Sequence, residues 1–266
     1  MIVADLHVHT TNSDGELTLA TLPDAAREAG LQAVAVTDHD RLNPGLDAPV
    51  TTVDGVTVIH GVELRVEVQA ADERPAGVVG QRVDLLGYGV DPTDELVAEL
   101  DRLQRDRIER GRAIVECVED RLGVPLDVDI DVGIGRPHVA RAVADATDYT
   151  VQGVFDDLIA DGRPCYVARD VPSFERGRDL LADACGLVGL AHPFRYPDPE
   201  AVLSLTEHLD AVERYYPYDE PVDAAAVDRA IEAYDLLPTG GSDAHGTTLG
   251  AAGLDAEAYE RVRERL

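Results

Sequence analysis

Short β-branched apolar runs alternate with amphipathic stretches along most of the chain, a pattern typical of βαβ units. Residues 18–29 and 224–233 have helical periodicity, and Gly30 follows the first of these stretches as a C-cap residue. The pattern favours an α/β fold built on a parallel sheet or barrel. The predicted strands lie at residues 2–6, 33–37, 56–59, 83–88, 187–191, 211–214 and 237–239.

The middle of the chain follows a different period. Apolar residues recur every three or four positions from Asp94 to Leu122, which predicts one long helix. A bend rich in Gly and Asp follows, and then two shorter helical patterns at 137–145 and 153–160. We interpret this section as a helical insertion between barrel strands. The predicted organisation is a first barrel part at residues 1–93, the insertion at 94–169 and a second barrel part at 170–266.

Length and composition are consistent with one barrel. A single α/β barrel can occupy 266 residues, and a hydrophobic fraction of 45% supplies a core and excludes wholesale disorder. No apolar run approaches the roughly 20 residues that a membrane helix needs. The first residues contain neither a basic segment nor a cleavage site of small residues. We therefore expect a soluble, cytoplasmic protein with no membrane association.

The charge of the chain is strongly acidic. The formal net charge is -29 at pH 7, and all 23 basic residues are Arg. Molar salt would screen the resulting repulsion within about 3 Å, so we predict a halophilic protein, with an acidic protein of an ordinary cell as the alternative. The acidity also argues against a general nucleic-acid-binding surface. The arginines between residues 102 and 112 are interpreted as a solvated, ion-paired helix face.

The three cysteines do not form a recognisable framework. Cys117, Cys165 and Cys185 are odd in number and lack C-x-x-C spacing. We expect buried free thiols rather than disulfides.

Potential metal ligands cluster at the predicted strand ends. His7 and His9 are two residues apart on a strand and so face the same side. Barrels of this class build their sites at the carboxyl ends of the strands. A lone His there is usually structural, but nine such residues on one face predict a site for two or three divalent ions. These residues are His7, His9, Asp14, His39, Glu63, Asp84, His192, Asp243 and His245.

Five motifs occur in a recognisable order: DLHVH at 5–9, TDHD at 37–40, GVE at 61–63, AHP at 191–193 and GSDAHG at 241–246. In order and spacing they resemble the PHP (polymerase and histidinol phosphatase) superfamily. The segments VDLLGYGVD at 83–91 and GRPHVAR at 135–141 resemble one subgroup, which contains nucleoside 3′,5′-bisphosphate phosphatases and 5′-3′ exoribonucleases. The resemblance implies a distorted (β/α)7 barrel with a helical insertion and a trinuclear metal cleft.

The resemblance also implies which residues hold each ion. The first ion would be held by His7, His9, Glu63 and Asp243, the second by the shared Glu63 with His192 and Asp84, and the third by Asp14, His39 and His245. This chain departs from the family pattern at Asp84, where members usually have His. An Asp could still bind Mn or Mg, or it could leave the second site weak.

The implied reaction is hydrolysis of a phosphate ester by a metal-activated hydroxide. Manganese is the expected ion, with Fe, Zn or Mg as alternatives. The predicted substrate is a small nucleotide such as a 3′,5′-nucleoside bisphosphate, with RNA ends cleaved by a 5′-3′ exoribonuclease as the alternative. Less favoured hypotheses are a C–N amidohydrolase, whose carboxylated Lys this Lys-free chain cannot supply, and a non-catalytic metal-binding module. The oligomeric state stays open.

Three cationic side chains are candidates for binding phosphate: Arg136 and His138 in the insertion, and Arg195 after the AHP motif. Each Arg could equally belong to a surface ion-pair network. Tyr215, Tyr216 and Tyr218 could stack a base or line the barrel rim.

Overall fold

The computed structural model of the chain describes residues 1–70 and 77–266. Within these residues the strands form one sheet that curves into a nearly closed barrel. The strands are β1 (Ala4–Val8), β2 (Ala33–Val36), β3 (Val50–Val53), β4 (Val56–Glu67), β5 (Arg82–Val90), β6 (Cys185–Leu190), β7 (Ala211–Tyr215) and β8 (Leu237–Gly240). The order around the barrel is β1-β2-β4-β5-β6-β7-β8, and β3 pairs with β4 outside this path. The α/β barrel that the sequence predicts is therefore confirmed.

Strand direction differs from an all-parallel barrel at one position. β1, β2 and β4 run parallel to each other, as do β6, β7 and β8. β5 runs antiparallel to both of its neighbours, β4 and β6. The expectation of a parallel sheet is wrong for β5. The start of β5, rather than its end, therefore lies at the same mouth as the carboxyl ends of its neighbours.

β4 connects the two halves of the sheet. Its residues 57–60 pair with β2, and its residues 61–67 pair with β5. The sequence predicts a strand only to Ile59, but the apolar alternation continues through Val62, Leu64 and Val66, all of which are buried. This extension carries Glu63 past the end of β2 and into the barrel mouth.

Helices of very different length connect the strands. The 29-residue helix α2 begins and ends where the periodicity predicts, whereas α1 begins at Leu22, later than predicted. The helices are α1 (Leu22–Glu28), α2 (Asp94–Leu122), α3 (Arg136–Ala146), α4 (Val151–Val154), α5 (Phe174–Ala184), α6 (Pro199–Leu203), α7 (Ala225–Tyr234) and α8 (Ala256–Arg263), with a π-helical turn at Phe155–Ile159. Across the described ranges, no helix combines the length and apolar character needed to cross a bilayer.

Two cores of described apolar residues pack against the strands of the barrel unit. One joins residues from most barrel strands, including Leu6, Ile59 and Leu86, with Tyr259 and Val262 of α8. The other packs Leu22 and Ala26 of α1 against the opposite set of strand residues, including Val34 and Val58. Because successive strand residues face opposite sides, neighbours such as Val34 and Ala35 enter different cores.

The chain divides into two compact units, residues 1–98 with 171–266 and residues 99–170. The second unit has its own core, in which Ile114 and Val118 of α2 pack with Val139 and Val143 of α3 and with Leu158. This unit therefore buries enough apolar surface to form a core of its own.

Two expectations for the insertion are wrong, the first of them for part of the arginine face only, since Arg102 forms ion pairs with Glu99 and Asp170. Arg107 and Arg110 are only 7% and 8% exposed rather than solvated, and they donate to the backbone carbonyls of Ile134 and Val167. Cys117 and Cys165 form a disulfide, because α2 and the segment after the π-helical turn bring their Cα atoms to 5.6 Å. Cys185 is the free thiol that the sequence predicts.

Candidate metal centre

Glu63 is the centre of a cluster of imidazoles at the barrel mouth. His192 Nε2 and His7 Nε2 lie 3.0 and 3.6 Å from Glu63 Oε1. His39 Nδ1 and His9 Nε2 lie 2.7 and 3.5 Å from Oε2. Glu63 is 1% exposed, so its charge is shielded from water and interacts mainly with these four rings. The long β4 strand, the end of β1 and the segments after β2 and β6 together position this cluster.

Asp243 adds a second carboxylate next to the same rings. Its Oδ1 lies 3.0 Å from His9 Nε2 and 3.4 Å from His7 Nε2. Its Oδ2 accepts hydrogen bonds from the Tyr216 hydroxyl and from Arg195 Nη1, each at 2.9 Å. The structure therefore places Arg195 beside the candidate ligands, in an ion pair with Asp243. Its contact with phosphate stays a prediction.

A third group lies on the other side of His9. Asp14 Oδ1 lies 3.4 Å from His245 Nε2 and 3.7 Å from His39 Nε2. The rings of His39 and His245 stack on His9 with centroid distances of 4.3 and 4.2 Å. Burial raises the pKa of Asp14, but the charge of His39 and the hydrogen bond of His245 outweigh it and lower the pKa below its ordinary value. Asp14 is therefore ionised, as a metal ligand must be.

Eight of the nine predicted ligands form three groups, and within each group the donor atoms lie within 4.8 Å of one another. The donors are imidazole nitrogens and carboxylate oxygens, a set that suits divalent Mn, Fe, Zn or Mg. His7 Nε2 is buried and has no hydrogen-bond partner in the described residues. Such an atom fits a metal ligand, because a buried polar group otherwise needs a hydrogen bond. The three groups are His9, Asp14, His39 and His245; His7, His9 and Asp243; and His7, Glu63 and His192.

Asp84 lies beside these groups but has a different partner. It sits near the start of β5, opposite Arg65 of β4 in the strand register. Its Oδ1 and Oδ2 accept from Arg65 Nε and Nη2 at 2.7 and 2.5 Å. His192 Nε2 is 3.8 Å from Oδ2. The expectation that Asp84 ends its strand is wrong, because β5 is reversed.

Glu213 of β7 is a supporting residue that the sequence analysis missed. Its Oε1 lies 3.1 Å from His7 Nδ1, and its Oε2 accepts the backbone N–H of His192 at 2.7 Å. A carboxylate only accepts hydrogen bonds, so Nδ1 of His7 carries a proton, and Nε2 is the ring nitrogen directed at Glu63. The available signal was one acidic residue directly after the apolar pair Ala211 and Val212 of the predicted strand.

Two further carboxylates hold the loops that carry the ligands. Asp5 accepts from the backbone N–H and the hydroxyl of Ser242, beside Asp243. Asp38 accepts from the backbone N–H and hydroxyl of Thr10. Both residues are buried, so these hydrogen bonds fix the segments around the site.

The backbone at the site is strained at three positions. Asp40, His192 and Asp243 have φ values of 49°, 29° and 50°, a region that non-glycine residues rarely adopt. The hydrogen bond from the His192 N–H to Glu213 and that from the Asp40 N–H to the Glu63 carbonyl oppose relaxation of this strain. Such strain is typical of functional sites.

Arg136 and His138 lie in the second unit, in the first turn of α3. The Arg136 guanidinium lies 5.8 Å from the centre of the Phe155 ring, and its Nη1 donates to the Ile159 carbonyl at 3.4 Å. His138 Nδ1 accepts the backbone N–H of Gly135 at 3.1 Å. Their contact with substrate stays a prediction.

The three tyrosines at the end of β7 and directly after it have different surroundings. Tyr216 contacts Asp243, and Tyr218 accepts the backbone N–H of Phe194 at 3.3 Å, so both belong to the rim of the site. Tyr215 is 41% exposed and lies under the guanidinium of Arg214.

Comparison with known proteins agrees with this geometry. The family model of the PHP domain matches residues 5–120. The phosphoribosyl 1,2-cyclic phosphate 1,2-diphosphodiesterase of Eggerthella lenta is 31% identical over 264 residues, covering 92% of this chain and 95% of that protein. A 3′,5′-nucleoside bisphosphate phosphatase of Chromobacterium violaceum is 29% identical, and the match covers 72% of this chain and 67% of that protein. A 5′-3′ exoribonuclease of Salmonella typhimurium is 27% identical and covers 92% and 85%.

A solved structure shows the same fold. A protein from Bifidobacterium adolescentis, described as a proposed metal-dependent phosphoesterase, superposes with a TM-score of 0.77 at 24% identity, covering 99% of this chain and 96% of that one. The three curated relatives are phosphoester-cleaving enzymes by name, so the prediction of a phosphoric ester hydrolase is confirmed at the level of enzyme class. The motifs, the barrel and the full-length similarity agree, and the chain belongs to the PHP domain family.

Proposed function

We propose that the chain hydrolyses a phosphate ester of a small phosphorylated molecule, with divalent ions held by the eight convergent ligands. The observation that carries the proposal is the position of Glu63, which lies 2.7–3.6 Å from four imidazoles at one barrel mouth. Divalent ions at such donors supply Lewis-acid stabilisation of charge and a hydroxide at neutral pH. Manganese is the ion we propose.

The protein residues prepare the site for this chemistry. Glu213 fixes the tautomer of His7, and the Asp243 carbonyl, 2.9 Å from His245 Nδ1, does the same for His245. Burial raises the pKa of Asp243, but the charge of His7 and the hydrogen bond from His9 outweigh this effect and hold the pKa below its ordinary value. The carboxylate is therefore ionised. Arg195, 53% exposed and bound to Asp243, is the cation we assign to a substrate phosphate.

A small substrate fits the electrostatics better than a polymer. A chain with a net charge of -29 repels a long polyanion, so attraction to phosphate must come from a few placed cations. We name a nucleoside 3′,5′-bisphosphate as the first candidate substrate, with Arg195 as a phosphate contact. Arg136 and His138 of the second unit stay predicted phosphate-binding residues. An RNA end is the alternative, since one relative is an exoribonuclease.

A specific finding favours a second candidate. The relative with the highest identity of the three, matched over 92% of this chain, is named as a diphosphodiesterase of a phosphoribosyl cyclic phosphate. The same group of ligands could therefore serve a cyclic phosphodiester on a phosphorylated ribose. We place the protein in the cytoplasm of a salt-rich cell because of its acidity and its lack of Lys.

The test is hydrolysis by the Mn²⁺-loaded protein at molar KCl, followed as release of inorganic phosphate from monoesters, as ring opening of the cyclic ester to a monoester, and as release of mononucleotides from RNA. The substrates are a 3′,5′-nucleoside bisphosphate, the matching monophosphates, a ribose 1,2-cyclic phosphate carrying a 5-phosphate, and a short 5′-phosphorylated RNA. Preferential turnover of the bisphosphate supports the first candidate, and turnover of the cyclic ester supports the second. Stepwise release of mononucleotides from RNA would assign an exonuclease instead. Absence of turnover with every substrate, with metal bound, would refute the proposal.

A further inference from the structure

Arg65 and Asp84 form a cross-strand ion pair next to the candidate metal centre. The register of β4 and β5 places them directly opposite each other, so their side chains lie on the same face of the sheet. Glu63 is two residues before Arg65 and therefore shares this face. The Asp84 side chain is 2% exposed, whereas that of Arg65 is 34% exposed. The pair thus has a buried anionic end and a cationic end that reaches solvent.

Both oxygens of Asp84 are used by this pair. Arg65 Nε and Nη2 donate to Oδ1 and Oδ2 at 2.7 and 2.5 Å, which is the forked geometry of a strong guanidinium–carboxylate interaction. The backbone N–H of Asp84 donates to the Tyr196 hydroxyl at 2.8 Å, which fixes the start of β5. Asp84 is also absent from the three groups of potential metal ligands among the described residues. Both Asp84 oxygens are therefore engaged by the Arg65 guanidinium.

The Arg65 guanidinium keeps donors for another partner. A guanidinium has five N–H groups, and Asp84 takes two of them. Within the described part of the chain, the other three N–H groups donate no hydrogen bond to a protein acceptor. The guanidinium stays charged at every accessible pH. His192 Nε2 lies 3.8 Å from the Asp84 oxygen that Arg65 also binds, so the guanidinium borders the ligand groups.

We infer that Arg65 binds a phosphoryl oxygen of the substrate. The family resemblance implies a metal ligand at position 84, and in this chain Asp84 instead holds the Arg65 guanidinium in place. This inference rests on the proposed phosphoesterase function. Arg suits such a role because its planar fork can bind the Asp84 carboxylate along one edge and present the remaining N–H groups to phosphate. In a chain with so few cations, this is a second placed positive charge at the site beside Arg195.

The first test counts metal ions. The double variant Arg65→Gln/Asp84→Asn removes both charges at nearly constant side-chain volume, so no lone charge is left buried. After loading with Mn²⁺ and desalting, elemental analysis should find the same number of ions per chain as in the wild-type protein. Asp14→Asn, at a residue in a ligand group, should lose about one ion. Loss of an ion from the double variant would make Asp84 a ligand and overturn the inference.

The second test measures binding of inorganic phosphate to the Mn²⁺-loaded protein by calorimetry. Removal of charge-assisted hydrogen bonds should weaken binding by about tenfold or more in the double variant. Arg65→Lys keeps the charge without the fork and should be intermediate. The control is Arg82→Gln/Glu67→Gln, which removes the neighbouring pair on the same two strands, where Arg82 Nε lies 2.9 Å from Glu67 Oε2. Its phosphate affinity should stay that of the wild type.

These outcomes separate the inference from the proposed function. Wild-type phosphate affinity in a folded Arg65→Gln/Asp84→Asn protein would overturn the role of Arg65, whatever the enzyme hydrolyses. Failure of the wild-type protein to hydrolyse any phosphate ester would refute the proposed function, while the ion count and the phosphate affinity would still be measurable.

Discussion

The buried carboxylate of Glu213 lies 3.1 Å from His7 Nδ1 and, through its other oxygen, holds the backbone N–H of His192 at 2.7 Å. One side chain on β7 thereby orients two candidate ligands that are 185 residues apart in sequence. Its contribution is to select the His7 tautomer that presents Nε2 to the site.

Glu213→Gln should weaken metal binding. The amide can no longer offer two charged acceptors, and loss of such a supporting contact typically lowers metal affinity about 10–100-fold. Competition for Mn²⁺ against a chelator measures the effect. Glu200→Gln, at a side chain 78% exposed, is the control and should bind Mn²⁺ as the wild type does. Unchanged affinity in Glu213→Gln would show that this contact does not tune His7.

Asp243→Asn should abolish turnover while the protein still folds. Asp243 contacts His7, His9, Arg195 and Tyr216, so neutralising it removes a candidate ligand and the partner of two rim residues. Phosphate release reports activity, and circular dichroism reports folding. Turnover at the wild-type rate in this variant would contradict the assignment of the site.

Arg195→Gln should raise KM for the phosphate ester and lower kcat/KM by about 10–100-fold, because one charge-assisted contact to phosphate is lost. Arg229→Gln is the matched control, since Arg229 is 62% exposed and pairs with Glu200 on the surface. If both variants give the same KM as the wild type, Arg195 serves only to pair with Asp243.

Gly241→Ala should destabilise the barrel at β1. A Cβ on Gly241 would lie 2.3 Å from the His7 backbone nitrogen and 2.4 Å from the His7 Cβ, so the two segments must separate. The expected loss is about 1–3 kcal/mol in the free energy of unfolding, together with weaker metal binding. Thermal unfolding measures the first effect. Gly246→Ala, where a Cβ meets nothing within 4 Å, should keep the wild-type Tm.

The native protein should contain one free thiol, that of Cys185, and it should react slowly with an alkylating reagent. Burial raises the pKa of Cys185 from 9.0 to about 12, so its thiolate is scarce at pH 8 and alkylation is slow. The raised pKa also means that this group favours folding below pH 9, and that this contribution is lost as the pH rises through about 12. Denaturation without reductant should expose one reactive thiol and reduction should expose three, because Cys117 and Cys165 are paired. Three thiols before reduction would contradict the disulfide.

Much of the candidate site was predictable from local sequence. His7 and His9 face the same way because they are two residues apart on a strand, and the other motifs follow strand ends in a recognisable order. The helix at Asp94–Leu122 was equally accessible, because its apolar period continues over 29 residues. Arg65 and Glu213 were not found, because a single charged residue in a strand carries no local sign of its partner.

The sequence by itself determined the barrel class, the long helix and the set of potential ligands, because each depends on spacing between residues that are near in the chain. Only the tertiary structure decided the direction of β5, the pairing of Asp84 with Arg65 and the disulfide between Cys117 and Cys165. These features depend on which distant segments become neighbours. A strand has the same apolar pattern in either direction, and a carboxylate can bind a metal or a guanidinium, so the final choice belongs to the surrounding fold.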